Sequence, residues 1–283
     1  MVKMVLLVTM AIGIILIVYS TKLLYESVRG LRQNLSNVNK SLRQFRELSK
    51  KRADKNQEAL RSINLALKST IQKVDREDFF LYRQIESLIE LNSLLGFNIS
   101  GLRGWAVSPD AAALLYKEIV KGRPKIVVEL GGGISSIIIA QALNSNKAGR
   151  LITIDHLEKY ASITRKLLEE HRLAGLCEVR VAELQPLGKN NGRWYNQEKV
   201  IKGISEIDLL VVDGPPAGTN KNARVPAVSQ LKSVLSKDIV IFMDDYDRGD
   251  EQKAAKNWLH LLGNHYLEYF ETEKGTAIIR PVQ

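Results

Sequence analysis

From residue 125 onward, short unbroken runs of apolar and β-branched residues alternate with longer stretches whose apolar positions recur every three or four residues. Runs without polar alternation fit strands buried on both faces, and the longer periodic stretches fit helices covering such a sheet. Strands are expected at 126–130, 151–155, 179–182, 207–213 and 239–243, with helices near 135–143, 158–174, 225–235 and 251–262. Alternation of this kind calls for an α/β fold with a doubly wound, mostly parallel sheet. The ending breaks the rhythm: 266–270 and 276–280 flank Glu-Thr-Glu-Lys-Gly and read as an antiparallel hairpin. Upstream, 79–95 is expected to be helical, and Gly96, Gly101 and Gly104 end it. Ser108-Pro109-Asp110 then opens a helix running through Ile119, with a serine cap and a proline in its first turn.

The first 78 residues follow a different pattern. Residues 4–21 hold about 18 positions without a charge, near the lower limit for a helix that spans a bilayer. A cleaved signal peptide competes with a retained anchor, but Ile17-Val-Tyr-Ser-Thr makes a poor cleavage site. Lys3 precedes the apolar run, and Lys22, Arg29 and Arg32 follow it. Charge bias therefore puts the C-terminal bulk in the cytoplasm, giving a single-pass membrane protein. Leu24, Val28, Leu31, Leu35, Val38, Leu42 and Phe45 then alternate in steps of four and three, the seam of a coiled coil. Self-association or a stalk would use that seam; a solitary solvated helix would also fit it. The expected division is an anchor at 1–22, a helical stalk at 23–78 and a globular domain at 79–283.

Charge sharpens this division. Of the net charge of +10, +9 lies in residues 1–75, so the high pI describes the N-terminal region and not the domain. That distribution suits anionic lipid better than nucleic acid, and no nucleic-acid partner is expected. The single Cys177 excludes an intrachain disulfide framework and a cysteine-rich metal site.

The candidate chemistry centres on Lys125-Ile-Val-Val-Glu-Leu-Gly-Gly-Gly-Ile-Ser-Ser136, a strand, a glycine turn and a helix start. Such a turn lets a ligand approach bare backbone at a helix N-terminus. A dinucleotide oxidoreductase is one candidate. Its fingerprint, however, wants a sixth-position glycine where this chain has Ser136, and its sheet would be expected to continue in parallel units. A non-catalytic scaffold built on the coiled coil is another.

Several ordered motifs beyond the turn bear on the choice: Arg103-Gly-Trp-Ala-Val-Ser-Pro-Asp110, Asp155-His156, Asp213-Gly-Pro-Pro216 and Asp244-Asp-Tyr-Asp-Arg248. With the turn, they make residues 80–279 resemble class I S-adenosylmethionine-dependent methyltransferases of the bacterial group whose turn reads Val-Glu-Leu-Gly-x-Gly-x-Ser. The resemblance implies a seven-stranded sheet of order 3-2-1-4-5-7-6 with the cofactor over strands one and two. It implies cofactor contacts from Glu129, Gly131, Gly132, Gly133, Ser135, Asp155, His156, Ala182, Glu183 and Asp213. Glu129 would orient the amino group of S-adenosylmethionine and Asp155 would accept both ribose hydroxyls.

On the acceptor side, Asp213 closes strand four and Asp244-Asp245 closes strand five. Neighbouring strand ends lie about 5 Å apart. Two carboxylates about 4 Å apart repel by roughly 4 kcal/mol at an effective dielectric near 20, so the cluster should hold a proton or a cation. Oxygen-only ligands suit Mg²⁺ or Mn²⁺. Asp213, Asp244 and Asp245 are therefore the candidate metal ligands. Metal-dependent catechol and macrolide-sugar O-methyltransferases resemble this arrangement. Asp213, Asp244 and Lys221 are the candidate catalytic residues. Arg248 is a candidate for holding an anionic acceptor group, and Trp194-Tyr195 is either a stacking wall or a gap filler. The expected activity is methyl transfer from S-adenosylmethionine to an oxygen of a sugar, glycolipid or other small hydroxyl compound.

Overall fold

The computed structural model describes residues 17, 20–40, 57–188 and 192–282, and the chain divides into two compact units, 1–79 and 80–283. In the first unit, residues 20–40 form helix α1. It carries Lys22, Glu26, Arg29, Arg32 and Lys40, so its surface is repeatedly charged. Among the described residues no helix is long and apolar enough to cross a membrane, which overturns the single-pass localisation. The expected anchor itself, 4–21, lies almost wholly outside the described residues. The coiled coil finds no support among the described residues: α1 carries the expected seam from Leu24 to Val38, and Leu42 and Phe45 fall outside them.

A long helix, α2 (Gln57–Leu95), leads toward the second unit, followed by α3 (Pro109–Gly122). The α/β series then runs β1 (Ile126–Leu130), α4 (Ile134–Asn146), β2 (Arg150–Asp155), α5 (Glu158–Glu170) and β3 (Cys177–Val181). Next come β4 (Leu184–Leu187), β5 (Gly192–Tyr195), α6 (Gln197–Ile201), β6 (Ile207–Val212), α7 (Pro226–Leu231), β7 (Leu235–Met243), α8 (Gly249–Leu262), β8 (His265–Phe270) and β9 (Thr276–Pro281).

The main sheet has seven strands ordered β3-β2-β1-β6-β7-β9-β8. Counted along the chain this differs from the expected 3-2-1-4-5-7-6, because β4 and β5 take two numbers without entering the sheet. They pair only with each other, antiparallel, as a small separate hairpin. Its short strands, one broken by Pro186, give no clear two-residue alternation along the chain. Strands β1, β2, β3, β6 and β7 are mutually parallel, and β9 runs antiparallel to both β7 and β8, as the terminal pattern predicts.

Side-chain alternation along the strands divides the core in two. Val127, Leu151, Leu209, Phe242 and Ile278 face one layer with α3 and α4, while Val128, Ile152, Leu210, Ile241 and Ile279 face the other with α7 and α8. Helix α4 is buried along most of its length, Ile137, Ile138, Ile139, Ala140 and Leu143 fully so; only Asn144 and Ser145 near its end are exposed. Covering both faces of the sheet leaves the C-terminal ends of its parallel strands as the place for a ligand.

Candidate active site

The turn after β1 shows why glycine is needed there. Gly131 sits at φ 92°, and a Cβ on it would lie 3.0 Å from the backbone of Asp213 and Gly214. At Gly132 a Cβ would meet Thr153 Oγ1 at 2.7 Å, whereas at Gly133 it would meet nothing within 4 Å. The turn is thus packed on its inner side and open beside Gly133. Glu129, one residue before β1 ends, is fully buried. Its Oε2 accepts from Thr153 Oγ1 at 2.6 Å and from Ser136 Oγ, while Oε1 has no partner. Burial raises the Glu129 pKa against these hydroxyl donors, Ser135 among them. A buried carboxylate oxygen lacking a partner beside an open turn fits a ligand's amino group.

Asp155 closes β2, where its Oδ1 accepts from the Leu157 amide at 2.9 Å and lies 3.4 Å from His156 Nδ1. Burial raises its pKa, and the Leu157 hydrogen bond and His156 oppose that rise. His156 meets Tyr195 edge-on, with ring centroids 6.5 Å apart. Tyr195 is buried at the end of β5, its phenol pushed well above the usual range by that burial. A side chain on Gly214 would collide with its hydroxyl. The hairpin that sequence patterning missed therefore supplies one wall of the site.

At the ends of β6 and β7 the acids converge. Asp213, Asp244 and Asp245 each present an oxygen within 4.8 Å of the others. Arg224, buried among them, donates to the Asp213 and Asp244 carbonyls at 2.9 and 3.0 Å, to Asp213 Oδ1 at 3.0 Å and to Asp245 Oδ2 at 2.9 Å. Its Nε also lies 3.6 Å from the buried Glu251 Oε1. Lys274 Nζ stands 4.0 Å from Asp244 Oδ2 and 3.9 Å from Asp245 Oδ1. Burial pushes Asp213 up to about 8, with Asp244 and Asp245 adding to the rise and Arg224 opposing it. Burial and Asp245 push Asp244 up to about 6. Both Asp244 carboxylate oxygens and Asp245 Oδ1 are buried without hydrogen-bond partners.

One cavity of about 790 Å³ joins the two regions, lined by Gly131, Gly132, Asp155, His156 and Tyr195 on one side and by Asp213, Arg224, Asp245 and Arg248 on the other. Glu129, Gly133, Ser135 and Asp244 are not part of that lining. Three predicted residues fall elsewhere. Ala182 is buried and donates its amide to the Asp155 carbonyl at 2.8 Å, so it braces β2 and β3 without facing the cavity. Glu183 turns outward to Lys199 at 2.5 Å, and Lys221 is exposed off the lining. Arg224 and Lys274 were not legible beforehand. Each is a lone cation in a loop, and only the strand ends show what it faces.

Residues 128–246 match a methyltransferase-domain family. The enzyme class expected from the sequence, an S-adenosylmethionine-dependent methyltransferase, is the one this match gives. No curated protein matches the sequence. Among solved structures, the methyltransferase shares 15% identity with the SAH-bound methyltransferase PaMTH1 of Podospora anserina, over 75% of this chain and 96% of that one, with a TM-score of 0.50. An O-methyltransferase from Bacillus cereus in complex with SAH gives 18% identity, 71% and 91% coverage and a TM-score of 0.49. The O-methyltransferase TomG of Streptomyces achromogenes, in complex with SAM, gives 16%, 71%, 89% and 0.48. At such identities the likeness to PaMTH1 establishes a shared fold.

Proposed function

We propose that the methyltransferase moves a methyl group from S-adenosylmethionine to an oxygen of a small hydroxyl acceptor, a sugar being the preferred class. What carries this reading is the meeting of two regions in one cavity: a glycine turn after β1 with Asp155 at the end of the neighbouring β2, and a cluster of acids with unpartnered oxygens. Glu129 Oε1 would take the donor's amino group, Gly131–Gly133 its methionine portion, and Asp155 its ribose hydroxyls. The lipid-linked acceptor rested on an anchor and is dropped with it.

The acceptor's O–H must lose a proton as the new O–C bond forms and the S–C bond breaks, leaving S-adenosylhomocysteine as a neutral thioether. Asp213, Asp244 and Asp245 fit a divalent cation by donor type, by spacing and by their unpartnered oxygens. When bound, such a cation would lower the pKa of the acceptor hydroxyl and fix its direction. A cation-free reading is favoured by one observation, that Arg224 already sits between Asp213 and Asp245. In that reading Asp213, whose proton affinity of about 8 is close to neutrality, takes the acceptor's proton directly.

Calorimetry with S-adenosylhomocysteine tests the cofactor half, and absence of binding would refute the reading. Mn²⁺ titration followed by electron paramagnetic resonance separates the two acceptor mechanisms. Loss of the free Mn²⁺ signal on adding protein, restored in Asp244→Asn, supports the cation; an unchanged signal leaves Asp213 as the base.

A further inference from the structure

Trp105 is 93% exposed, although an indole buries roughly 150–250 Å² when covered. The other two tryptophans, Trp194 and Trp258, are buried. Nor does Trp105 sit on a loose loop. Arg103 grips Glu273 through three hydrogen bonds of 2.7–3.0 Å, and its amide donates to the Val107 carbonyl at 3.1 Å. The Ala106 amide closes a turn onto the Arg103 carbonyl at 3.2 Å, and Lys274 Nζ donates to the Ala106 carbonyl at 2.7 Å. Left-handed conformations at Gly101, Arg103 and Gly104 bend the chain sharply here. The fold therefore fixes the segment on both sides of an indole and leaves the ring in solvent at the lip of the cavity.

The tie through Lys274 places this ring. The same ammonium that holds Ala106 stands 3.9–4.0 Å from the carboxylates of Asp244 and Asp245. The backbone beside Trp105 is thereby tied to the acid half of the cavity, whose lining the indole joins. What that half offers besides the indole is polar: Asp213, Asp245, Arg224, Arg248 and the Thr219 side chain. Pro216 and Ala217 also line it. One flat apolar plate facing donors and acceptors matches a ring with an apolar C–H face and a hydroxylated rim.

We propose that Trp105 is the acceptor platform, stacking against the C–H face of a pyranose whose hydroxyls reach toward the acids. The proposal rests on the methyl-transfer reading for its meaning, though not for its test. Because Trp194 and Trp258 are buried, acrylamide-quenchable emission reports Trp105. Full-length protein, with and without S-adenosylhomocysteine, is titrated with methyl glucoside, methyl galactoside and methyl rhamnoside, and separately with catechol. The expected result is a blue shift and a drop in quenching with at least one methyl pyranoside and none with catechol, both effects disappearing in Trp105→Phe. In a turnover assay with that pyranoside, Trp105→Ala should raise KM about tenfold, a loss of about 1.4 kcal/mol. The calorimetric affinity for S-adenosylhomocysteine should stay unchanged.

Protection by S-adenosylhomocysteine alone would show that the indole covers the cofactor, and would overturn the proposal. So would protection by catechol only, or by none of the pyranosides. Pyranoside protection in a protein that does not bind S-adenosylhomocysteine would keep the platform and remove the methyl-transfer reading. Cofactor binding with no pyranoside protection would do the reverse.

Discussion

The two halves of the cavity solve the problem of a polar site inside an α/β fold in opposite ways. Around the glycine turn, polar groups are few and local. One oxygen of Glu129 is held by Ser136 and Thr153, hydroxyls on the adjoining helix and strand, and one of Asp155 by an amide two residues on. At the ends of β6 and β7, four acids and three cations drawn from five separate segments meet in one cluster. The first half binds by leaving side chains out. The second works by crowding charges together, and its geometry depends on Arg224, which holds two strand-end carbonyls and two carboxylates at once.

Breaking that crowding should give the largest effect. Arg224→Met removes one partner of a buried ionic cluster and should cost about 3–5 kcal/mol, read as a fall in the denaturant midpoint at unchanged slope. If Arg224→Met unfolded at the wild-type midpoint, the clamp role would be wrong. Next comes Asp155→Ala in the opposite half. Losing hydrogen bonds to a charged acceptor should weaken S-adenosylhomocysteine binding by roughly 1.5–3 kcal/mol, or ten- to a hundredfold, while Mn²⁺ binding stays the same. Coupled loss of both would erase the distinction between the halves.

A pH series sharpens the contrast. Asp213 and Asp244 titrate higher folded, at about 8 and about 6, than in an unfolded chain, so the folded state binds more protons between these values and the ordinary carboxylate range. Their contribution to stability is complete below about pH 4 and is lost as pH rises through 6 and then 8. In chelator, thermal unfolding should therefore occur at progressively lower temperature across that window, and saturating Mn²⁺ should flatten the decline. A melting temperature that climbs across the same interval would contradict the burial of these acids. The smallest effects belong to residues that face away from the cavity. Glu183→Ala and Lys221→Ala should leave S-adenosylhomocysteine affinity and unfolding unchanged by calorimetry.

How far the sequence reached differs between the halves for the same reason. Gly131, Asp155 and Asp213 were found because each closes or follows a strand that apolar patterning marks, and strand ends are where ligands sit. Arg224 could not be found that way. It lies in Asn222-Ala-Arg-Val-Pro226, where nothing nearby indicates a buried guanidinium. Ala182 and Glu183 were placed by the end of β3, but the chain there turns into an unanticipated hairpin, which buries Ala182 behind the sheet and sends Glu183 outward. The N-terminal reading failed differently. Apolar content within 4–21 points to a membrane span, yet among the described residues no helix is long and apolar enough to cross one, and 4–21 lies almost wholly outside them.

By itself the sequence determined the chain order of the seven strands of the main sheet, the doubly wound class and the glycine turn, because backbone period and Cβ sterics act over a few residues. Only the tertiary structure decided which charges meet. Asp213, Arg224, Asp244, Glu251 and Lys274 converge because sheet order brings β6 beside β7 and β9 beside β7, and burial then fixes their proton affinities. Pairing between strands distant along the chain is a global choice, and the chemistry of this cavity is set there.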